Sequence, residues 1–224
     1  MVSNRLSILF ISIIRDGESY LDRYYEQLKS LTKYKITLAI TEGDSTDGTY
    51  DYLKQNISRP GDVKLFKFDH QGQKYGSVNN PDRWQRIAMT WNSMLNKLEF
   101  DYDYVIYMEA DLIWDIGTIE KLIEGLQKGY GDAIAPMSML GSIFYDTWGH
   151  RAFGENFGAI YPFHSRFTAY DRYMPIESAG SCIAMKPTVI RQCRLNPVDA
   201  MIGHDIKNFG YTFVLDKQAK VNHP

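Results

Sequence analysis

Two carboxylates stand at the end of an apolar, strand-like run of the sequence. The run begins at Tyr104 and ends in Glu109-Ala110-Asp111. Because side chains alternate across a strand, Glu109 and Asp111 leave the same face about 7 Å apart along the chain. Carboxylate oxygens with no Cys or His nearby in the sequence favour Mg²⁺ or Mn²⁺ over zinc. The pair is therefore a candidate site for Mn²⁺ or Mg²⁺, ions that usually hold phosphates.

Position along the strand separates this pair from chance occurrences of the same pattern. With 27 acids among 224 residues, an acid-x-acid triplet is expected about three times by chance. Asp101-Tyr102-Asp103 is one such triplet, and it precedes the strand. In open α/β sheets ligands bind outside the carboxyl ends of the strands. Glu109 and Asp111 follow the strand, so they are the better candidates.

The elements that must position these acids alternate between strand-like and helix-like segments. Helical periodicity occupies most of the intervals between the apolar runs, and the connections have the length usual for parallel α/β units. This alternation predicts an α/β fold. Strands are predicted at 6–14, 36–41, 63–68, 104–108, 133–136, 181–185 and 211–215.

The segment 137–178 lacks either periodicity and is rich in aromatic residues and glycine. It is long for a structureless loop, which suggests a binding lid or an acceptor wall. Within it, the indole of Trp148 could stack on a sugar ring, or could be structural. Asp146 and Arg151 could bind sugar hydroxyls or phosphate.

The composition indicates a globular protein and argues against nucleic-acid or membrane binding. The 44% apolar and 14% aromatic content can bury a substantial core, and the length suits one large domain or two fused lobes. A net charge of −2 and a pI near 6.2 give no electrostatic footprint for nucleic acid or an anionic membrane. The two cysteines predict free thiols in a reducing compartment, hence a cytoplasmic location. The apolar run 6–14 is too short to span a bilayer, so we expect no integral membrane segment.

The turn 42–49 follows the second predicted strand and is crowded with short oxygen-bearing side chains and glycine. One of them should cap the following helix. The remaining acids, Glu42 and Asp44, could accept hydrogen bonds from a ribose or a base edge. A dinucleotide fingerprint is absent, because 14–18 reads Ile-Arg-Asp-Gly-Glu. A dehalogenase-type phosphatase needs acids two apart, whereas Asp44 and Asp47 are three apart.

The order of several motifs resembles that of glycosyltransferases with the GT-A fold. The segment 42–49, Glu-Gly-Asp-Ser-Thr-Asp-Gly-Thr, is similar to their D-D-G-S-T-D-G-T or E-N-D-S-T-D-G-T signature, especially in family 2 and related fungal mannosyltransferases. Glu109-Ala110-Asp111 resembles their D-x-D motif, with Glu in place of the first Asp. The stretch 144–151 is similar to the Tyr-Asp-x-Trp stretch of capsule-type mannosyltransferases. Three further segments, 86–92, 178–186 and 210–223, resemble family landmarks in the family's order.

This resemblance implies roles for individual residues. Glu42 would contact the base or ribose of a nucleotide. Asp111 would be the main metal ligand, Glu109 would assist through the ribose or a water, and His223 would complete the metal sphere. Without the resemblance, a His next to the final residue is typical of a frayed, solvated end. Asp16, at the exit of the first strand, would face the nucleotide.

The resemblance also suggests a general base. An inverting enzyme needs a base within hydrogen-bond reach of the acceptor hydroxyl, and in the family it is the Asp of an E-D pair. The matching place here reads His204-Asp205, which makes Asp205 the candidate base and His204 an acceptor-site residue. The helix that follows is short, retaining members use no dedicated base, and the pair could equally cap a helix. Arg86 is either a nucleotide contact or part of a solvated helix face.

These inferences predict a single GT-A domain over 1–224, a mixed, mainly parallel sheet flanked by helices. Its nucleotide-binding half is 1–115 and its acceptor-binding half 116–224. The expected activity is metal-dependent transfer of a sugar from a UDP- or GDP-sugar to a hydroxyl of a glycan, lipid or protein, with the metal stabilising the departing diphosphate. A sugar-phosphate nucleotidyltransferase is one alternative, although Arg15-Asp16-Gly17 poorly matches its triphosphate turn. The other is a non-catalytic nucleotide- or carbohydrate-binding module.

Overall fold

A computed structural model describes residues 5–56, 58, 61–76, 79–146, 149–152, 154–156 and 169–224. Within these ranges the helices are α1 Glu18–Lys29, α2 Thr49–Gln55, α3 Pro81–Leu95, α4 Ile116–Gln127, α5 Pro187–Gln192 and α6 Gly203–Asn208. The strands are β1 Ser7–Ile14, β2 Lys35–Glu42, β3 Asp62–Lys67, β4 Tyr104–Met108, β5 Ala133–Leu140, β6 Ile143–Phe144, β7 Arg151–Ala152, β8 Glu155–Asn156, β9 Tyr173–Pro175, β10 Cys182–Met185 and β11 Phe213–Asn222.

The main sheet is mixed, with a parallel half formed by the first part of the chain. Its strand order is β3-β2-β1-β4-β10-β5-β11-β9, and β6 pairs with the end of β5. β1 runs parallel to both β2 and β4, and β2 runs parallel to β3. β10 is antiparallel to β4 and β5, whereas β11 is parallel to β5. Since the chain leaves β1 toward β2 on one side and reaches β4 on the other, a crevice is expected between the carboxyl ends of β1 and β4.

The sheet separates two apolar clusters, which explains why its central strands read as continuous apolar runs. In β1, Leu9 faces the cluster that contains Trp91 of α3. Its neighbour Phe10 faces the opposite cluster, which contains Tyr24 of α1. All four side chains are almost completely buried. This packing fixes the strands rigidly and leaves their carboxyl-end turns free to carry polar residues.

The structure corrects the predicted ends of two strands. β5 extends to Leu140 rather than 136, and β11 extends from Phe213 to Asn222 rather than ending at 215. The backbone N–H of His223 donates to the carbonyl of Met139 at 2.8 Å. His223 is thus tied to the sheet rather than frayed. The predicted aperiodic segment 137–178 contains β6 to β9 in its described part.

Within the described residues, no helix is long and apolar enough to cross a membrane. Cys182 and Cys193 are both buried and free, as the sequence predicts.

Candidate functional site

A cleft of about 770 Å³ opens at the carboxyl ends of β1 and β4. Acidic and basic side chains both line it. The acids are Asp16, Glu109, Asp111 and Asp146, and the basic residues are Arg15, Lys74, Arg83 and Arg86, with His70 and His223. Six of the predicted site residues therefore meet in one place: Asp16, Arg86, Glu109, Asp111, Asp146 and His223.

Glu109 lies in the negatively charged part of the cleft. Its backbone N–H donates to the carbonyl of Ser181 at 2.9 Å, which continues the pairing of β4 with β10. Tyr107 donates its hydroxyl to Oε1 of Glu109 at 3.3 Å. Burial, followed by the charges of Asp111 and Asp146, raises the pKa of Glu109 to about 8. These carboxylates therefore repel one another, and a bound cation would relieve the repulsion.

Asp146 is held rigidly beside this pair. Its Oδ1 accepts from the backbone N–H of Gly149 at 2.8 Å, and its Oδ2 lies 3.2 Å from Nδ1 of His150. A Cβ at Gly149 or at Gly180 would lie within 2.6 Å of the Asp146 carboxylate, so both positions require glycine for this close approach. Burial acts to raise the pKa of Asp146, but the interactions with His150 and Gly149 outweigh it and the pKa is lowered.

The His223 ring follows the end of β11 and lies close enough to Asp111 and Asp146 to feel their charges. Its Nε2 lies 3.2 Å from Oγ of Ser181, and the ring packs against Tyr145 with 4.2 Å between centroids. Burial lowers the pKa of His223, although the charges of Asp111 and Asp146 oppose this effect. A neutral imidazole is the form that binds metals.

The turns after β1 and β2 are locked together by side chains of the 42–49 motif. The backbone N–H of Asp16 donates to Oγ of Ser45 at 2.9 Å, and Oδ1 of Asp16 accepts from the N–H of Thr46 at 2.7 Å. Oδ2 of Asp47 accepts from the N–H of Glu18 at 3.1 Å. Oγ1 of Thr49 accepts from the N–H of Gly17 at 2.7 Å. The motif thus shapes one edge of the cleft.

Glu42 and Asp44, both predicted to contact a nucleotide, are not among the lining residues of the cleft. Oε1 of Glu42 accepts from the backbone N–H of Ser45 at 2.6 Å. Asp44 adopts a left-handed conformation with φ of 56°, and its Oδ2 accepts from the N–H of His70 at 2.5 Å. Burial acts to raise the pKa of Asp44, but hydrogen bonds from the backbone of His70 and Gly72 lower it overall. Asp44 therefore positions His70, which does line the cleft.

Most of the basic residues that line the cleft were not predicted from the sequence. Nη1 of Arg15 donates to the carbonyl of Gln73 at 2.6 Å. Nζ of Lys74 lies 3.3 Å from Oδ2 of Asp16. Arg83 joins Arg86 on α3, and only Arg86 was a candidate. Only Arg15 could have been predicted, because it directly follows β1 at the carboxyl end of the strand.

Three other predicted residues do not line the cleft. Oδ2 of Asp205 accepts from the backbone N–H of Arg194 at 2.8 Å. Arg151 and His204 both contact Oδ2 of Asp199, at 2.7 and 2.9 Å. Asp199 thereby ties β7 to the turn before α6, a link that the sequence did not indicate. The predicted sugar-stacking residue Trp148 lies outside the described residues.

Within the described part of the chain, no group of three or more His, Cys, Asp or Glu residues has the arrangement of a metal site. The predicted ligands Glu109, Asp111 and His223 do share the cleft. The metal role of these residues stays a prediction.

The strand order, the mixed sheet and the single domain define the GT-A fold of glycosyltransferases. Similar solved structures include the mannosyltransferase PcManGT from Pyrobaculum calidifontis in complex with GDP-Man and Mn²⁺, with a TM-score of 0.63 and 14% identity over 98% of this chain. They also include S. aureus TarS 1-349, with a TM-score of 0.60 and 10% identity over 97% of this chain, and its complex with UDP-GlcNAc, with 0.61 and 10%.

At these identities the likeness shows the fold alone. This chain spans 57% of the PcManGT chain and 60% of the TarS 1-349 chain. No family model matches the sequence, and no curated protein matches it. The finer resemblance to fungal capsule and Golgi-type mannosyltransferases therefore stays a prediction.

Proposed function

We propose that this protein is a metal-dependent glycosyltransferase that moves a sugar from a nucleoside diphosphate sugar to a hydroxyl of a glycan, lipid or protein. The observation that carries the proposal is the cleft at the carboxyl ends of β1 and β4, which is lined by four acids and four basic side chains. Such a site suits a ligand that is anionic and brings a cation with it. A diphosphate with a divalent ion has both properties.

The basic and acidic residues of the cleft would have different roles. Arg15, Lys74, Arg83 and Arg86 line the cleft and would supply positive charge to a diphosphate bound there. Because a departing diphosphate gains charge only in the transition state, fixed positive charge beside it favours transfer. We propose 1–115 as the nucleotide-binding half and 116–224 as the acceptor-binding half, with Asp146 and His223 contributed by the second.

The acids of the cleft suit a divalent cation. Burial, and then the charges of Asp111 and Asp146, raise the pKa of Glu109 to about 8, and a cation beside these carboxylates would offset both effects. Asp111, Glu109 and His223 would hold the ion, and Mn²⁺ or Mg²⁺ suits this largely oxygen donor set. When bound, the ion would neutralise charge on the diphosphate. A solved neighbour in complex with GDP-Man and Mn²⁺ supports this choice.

The acceptor base is left open. The Asp205 carboxylate is engaged by the Arg194 N–H and does not line the cleft, so it is not part of the proposal. Asp146 is the acid of the second half that lines the cleft together with the metal candidates, which makes it the proposed contact for sugar or acceptor hydroxyls.

The test is release of nucleoside diphosphate from a panel of UDP-, GDP- and TDP-sugars, with and without Mn²⁺. We expect release from one donor, dependent on Mn²⁺ and lost in Asp111→Asn. Asp101→Asn is the matched control, because Asp101 belongs to the triplet at the opposite end of the same strand. Donor binding without turnover would favour a binding module, and turnover unaffected by Asp111→Asn would contradict the assigned metal ligand.

A further inference from the structure

Ser181 lies where candidate metal ligands from two strands meet. It lines the cleft and is almost completely buried. Cys182 pairs with Met108 across the antiparallel strands β10 and β4, and the backbone N–H of Glu109 donates to the carbonyl of Ser181 at 2.9 Å. Ser181 and Glu109 are therefore the next pair along these strands. Directly opposite residues of an antiparallel pair project from the same face of the sheet, so the Ser181 side chain emerges beside that of Glu109.

Three polar side chains surround the Ser181 hydroxyl. Its Oγ lies 3.2 Å from Nε2 of His223. The same atom donates to Oδ2 of Asp146, at 3.5 Å. The hydroxyl also interacts with the Glu109 carboxylate. A single hydroxyl thus has an imidazole on one side and two carboxylates on the other.

The chemistry of these neighbours sets the direction of each hydrogen bond. A serine hydroxyl has one proton to donate and two lone pairs that accept, whereas an ionised carboxylate only accepts. The Ser181 proton is therefore directed to a carboxylate, and its lone pairs are left for Nε2 of His223. Nε2 must then carry the proton of the neutral imidazole. Nδ1 of the same ring keeps a free lone pair.

The position of the His223 ring is fixed by three contacts. Its backbone N–H donates to the carbonyl of Met139 at 2.8 Å, one face packs against Tyr145, and Nε2 contacts Ser181. Among the described residues, none forms a hydrogen bond with Nδ1 of His223. The ring lies close enough to Asp111 to feel its charge. Nδ1 is therefore the ring atom that is available to a ligand in the cleft.

We propose that Ser181 is a positioning residue for the divalent cation: by accepting from Nε2 of His223, it makes Nδ1 the atom that binds the ion. This inference rests on the proposed function, which assigns His223 to the cation, and it adds the residue that sets the His223 ring. Metal-binding histidines usually donate their other ring N–H to a partner that fixes the tautomer and the ring orientation. Here that partner is a hydroxyl, which is itself held by Asp146.

The first experiment determines the tautomer of His223 in the metal-free protein. Proton–nitrogen correlation spectra of protein with isotope-labelled histidine, recorded in EDTA at mildly alkaline pH, distinguish protonated ring nitrogens from bare ones. His223 is assigned as the one of five histidines whose signals disappear in His223→Asn. We expect the proton on Nε2 in wild type and a larger share on Nδ1 in Ser181→Ala. A proton mainly on Nδ1 in wild type, or unchanged shares in Ser181→Ala, would overturn the inference.

The second experiment measures Mn²⁺ affinity by electron paramagnetic resonance, which detects the free ion. Ser181→Ala should weaken Mn²⁺ binding about tenfold, because the partner that orients a ligand histidine is lost. In a His223→Ala background the same substitution should cost nothing further, since Ser181 acts through His223. An equal loss in both backgrounds would mean that Ser181 acts through Glu109 or Asp146, and would overturn the inference.

Ser138→Ala is the matched control for both experiments. Ser138 is a buried serine of the neighbouring strand β5, and its hydroxyl has no hydrogen-bond partner in the part of the chain that the structure describes. This variant should change neither the tautomer nor the affinity, whereas Ser181→Thr, which keeps the hydroxyl, should retain most of the affinity.

Unfolding midpoints show which variants are folded. Mn²⁺ binding that neither Ser181→Ala nor His223→Ala weakens would overturn this inference and leave a metal-dependent function intact. Absence of Mn²⁺ binding in wild type would overturn the proposed function, and this inference with it.

Discussion

Replacing Glu109 with Gln should make the metal-free protein more stable while weakening its metal site. The pKa of Glu109 is raised from 4.5 to about 8 by burial and by the charges of Asp111 and Asp146. Between these two values the folded protein binds more protons than the unfolded chain, so stability falls as pH rises, by about 1.4 kcal/mol per pH unit. Below pH 4.5 both states are protonated and the effect vanishes. Glutamine does not titrate, so the stability of the Glu109→Gln variant does not fall with pH for this reason.

The magnitude at neutral pH follows from the same shift. At pH 7 the ionisation penalty amounts to about 3 kcal/mol, which corresponds to a rise in Tm of roughly 6 to 12 °C for a chain of this size. The assay is thermal and urea unfolding of wild type and Glu109→Gln in EDTA, at pH 4.5, 6 and 8, with Asp101→Asn as the control. The stability gain should grow with pH. A gain that is equal at all three pH values, or no gain at pH 8, would refute the reasoning.

Two further predictions concern parts of the molecule away from the cleft. Asp216→Ala should destabilise the protein by about 3 kcal/mol in urea unfolding, because Asp216 is fully buried and accepts two hydrogen bonds from Arg172. Glu26→Ala, at an exposed ion pair, is the control, and an equal effect of both variants would contradict this account. Cys182 and Cys193 should react with a thiol reagent only after unfolding, since burial raises the pKa of both thiols, that of Cys193 to about 12. Rapid reaction of the native protein would contradict their burial.

The parallel half of the fold was predictable because its signals are local. Strands buried on both faces produce unbroken apolar runs, and β1 and β4 are such runs. The exits of parallel strands meet at one edge, so Asp16, Glu109 and Asp111 could be placed together from the sequence. The structure confirms that these three side chains share one cleft.

The extended ends of β5 and β11 were not predictable from the pattern. Pro136 cannot donate a ladder hydrogen bond, and it pairs with Asp216, where the register of β11 shifts before resuming at Lys220. This irregularity places polar residues in the middle of β11. The sequence pattern therefore does not show that the strand continues to Asn222 and brings His223 to the site.

The basic residues of the cleft were not predicted for a different reason. Arg15, Lys74 and Arg83 come from a turn, a loop and a helix, and single charges in such segments follow no periodicity. Only tertiary structure brings them to the same cleft. The contact of Asp199 with Arg151 and His204 is equally non-local, since 48 residues separate Arg151 from its partner.

The most direct test of the central claim is a crystal structure of the protein grown with Mn²⁺ and the nucleoside diphosphate that the release assay identifies, with the ion located by its anomalous scattering. We predict a Mn²⁺ peak beside Asp111 that bridges the protein to the diphosphate, with Arg15 and Arg86 facing the nucleotide. Mn²⁺ located away from Glu109 and Asp111, or a nucleotide bound outside the cleft between β1 and β4, would contradict it.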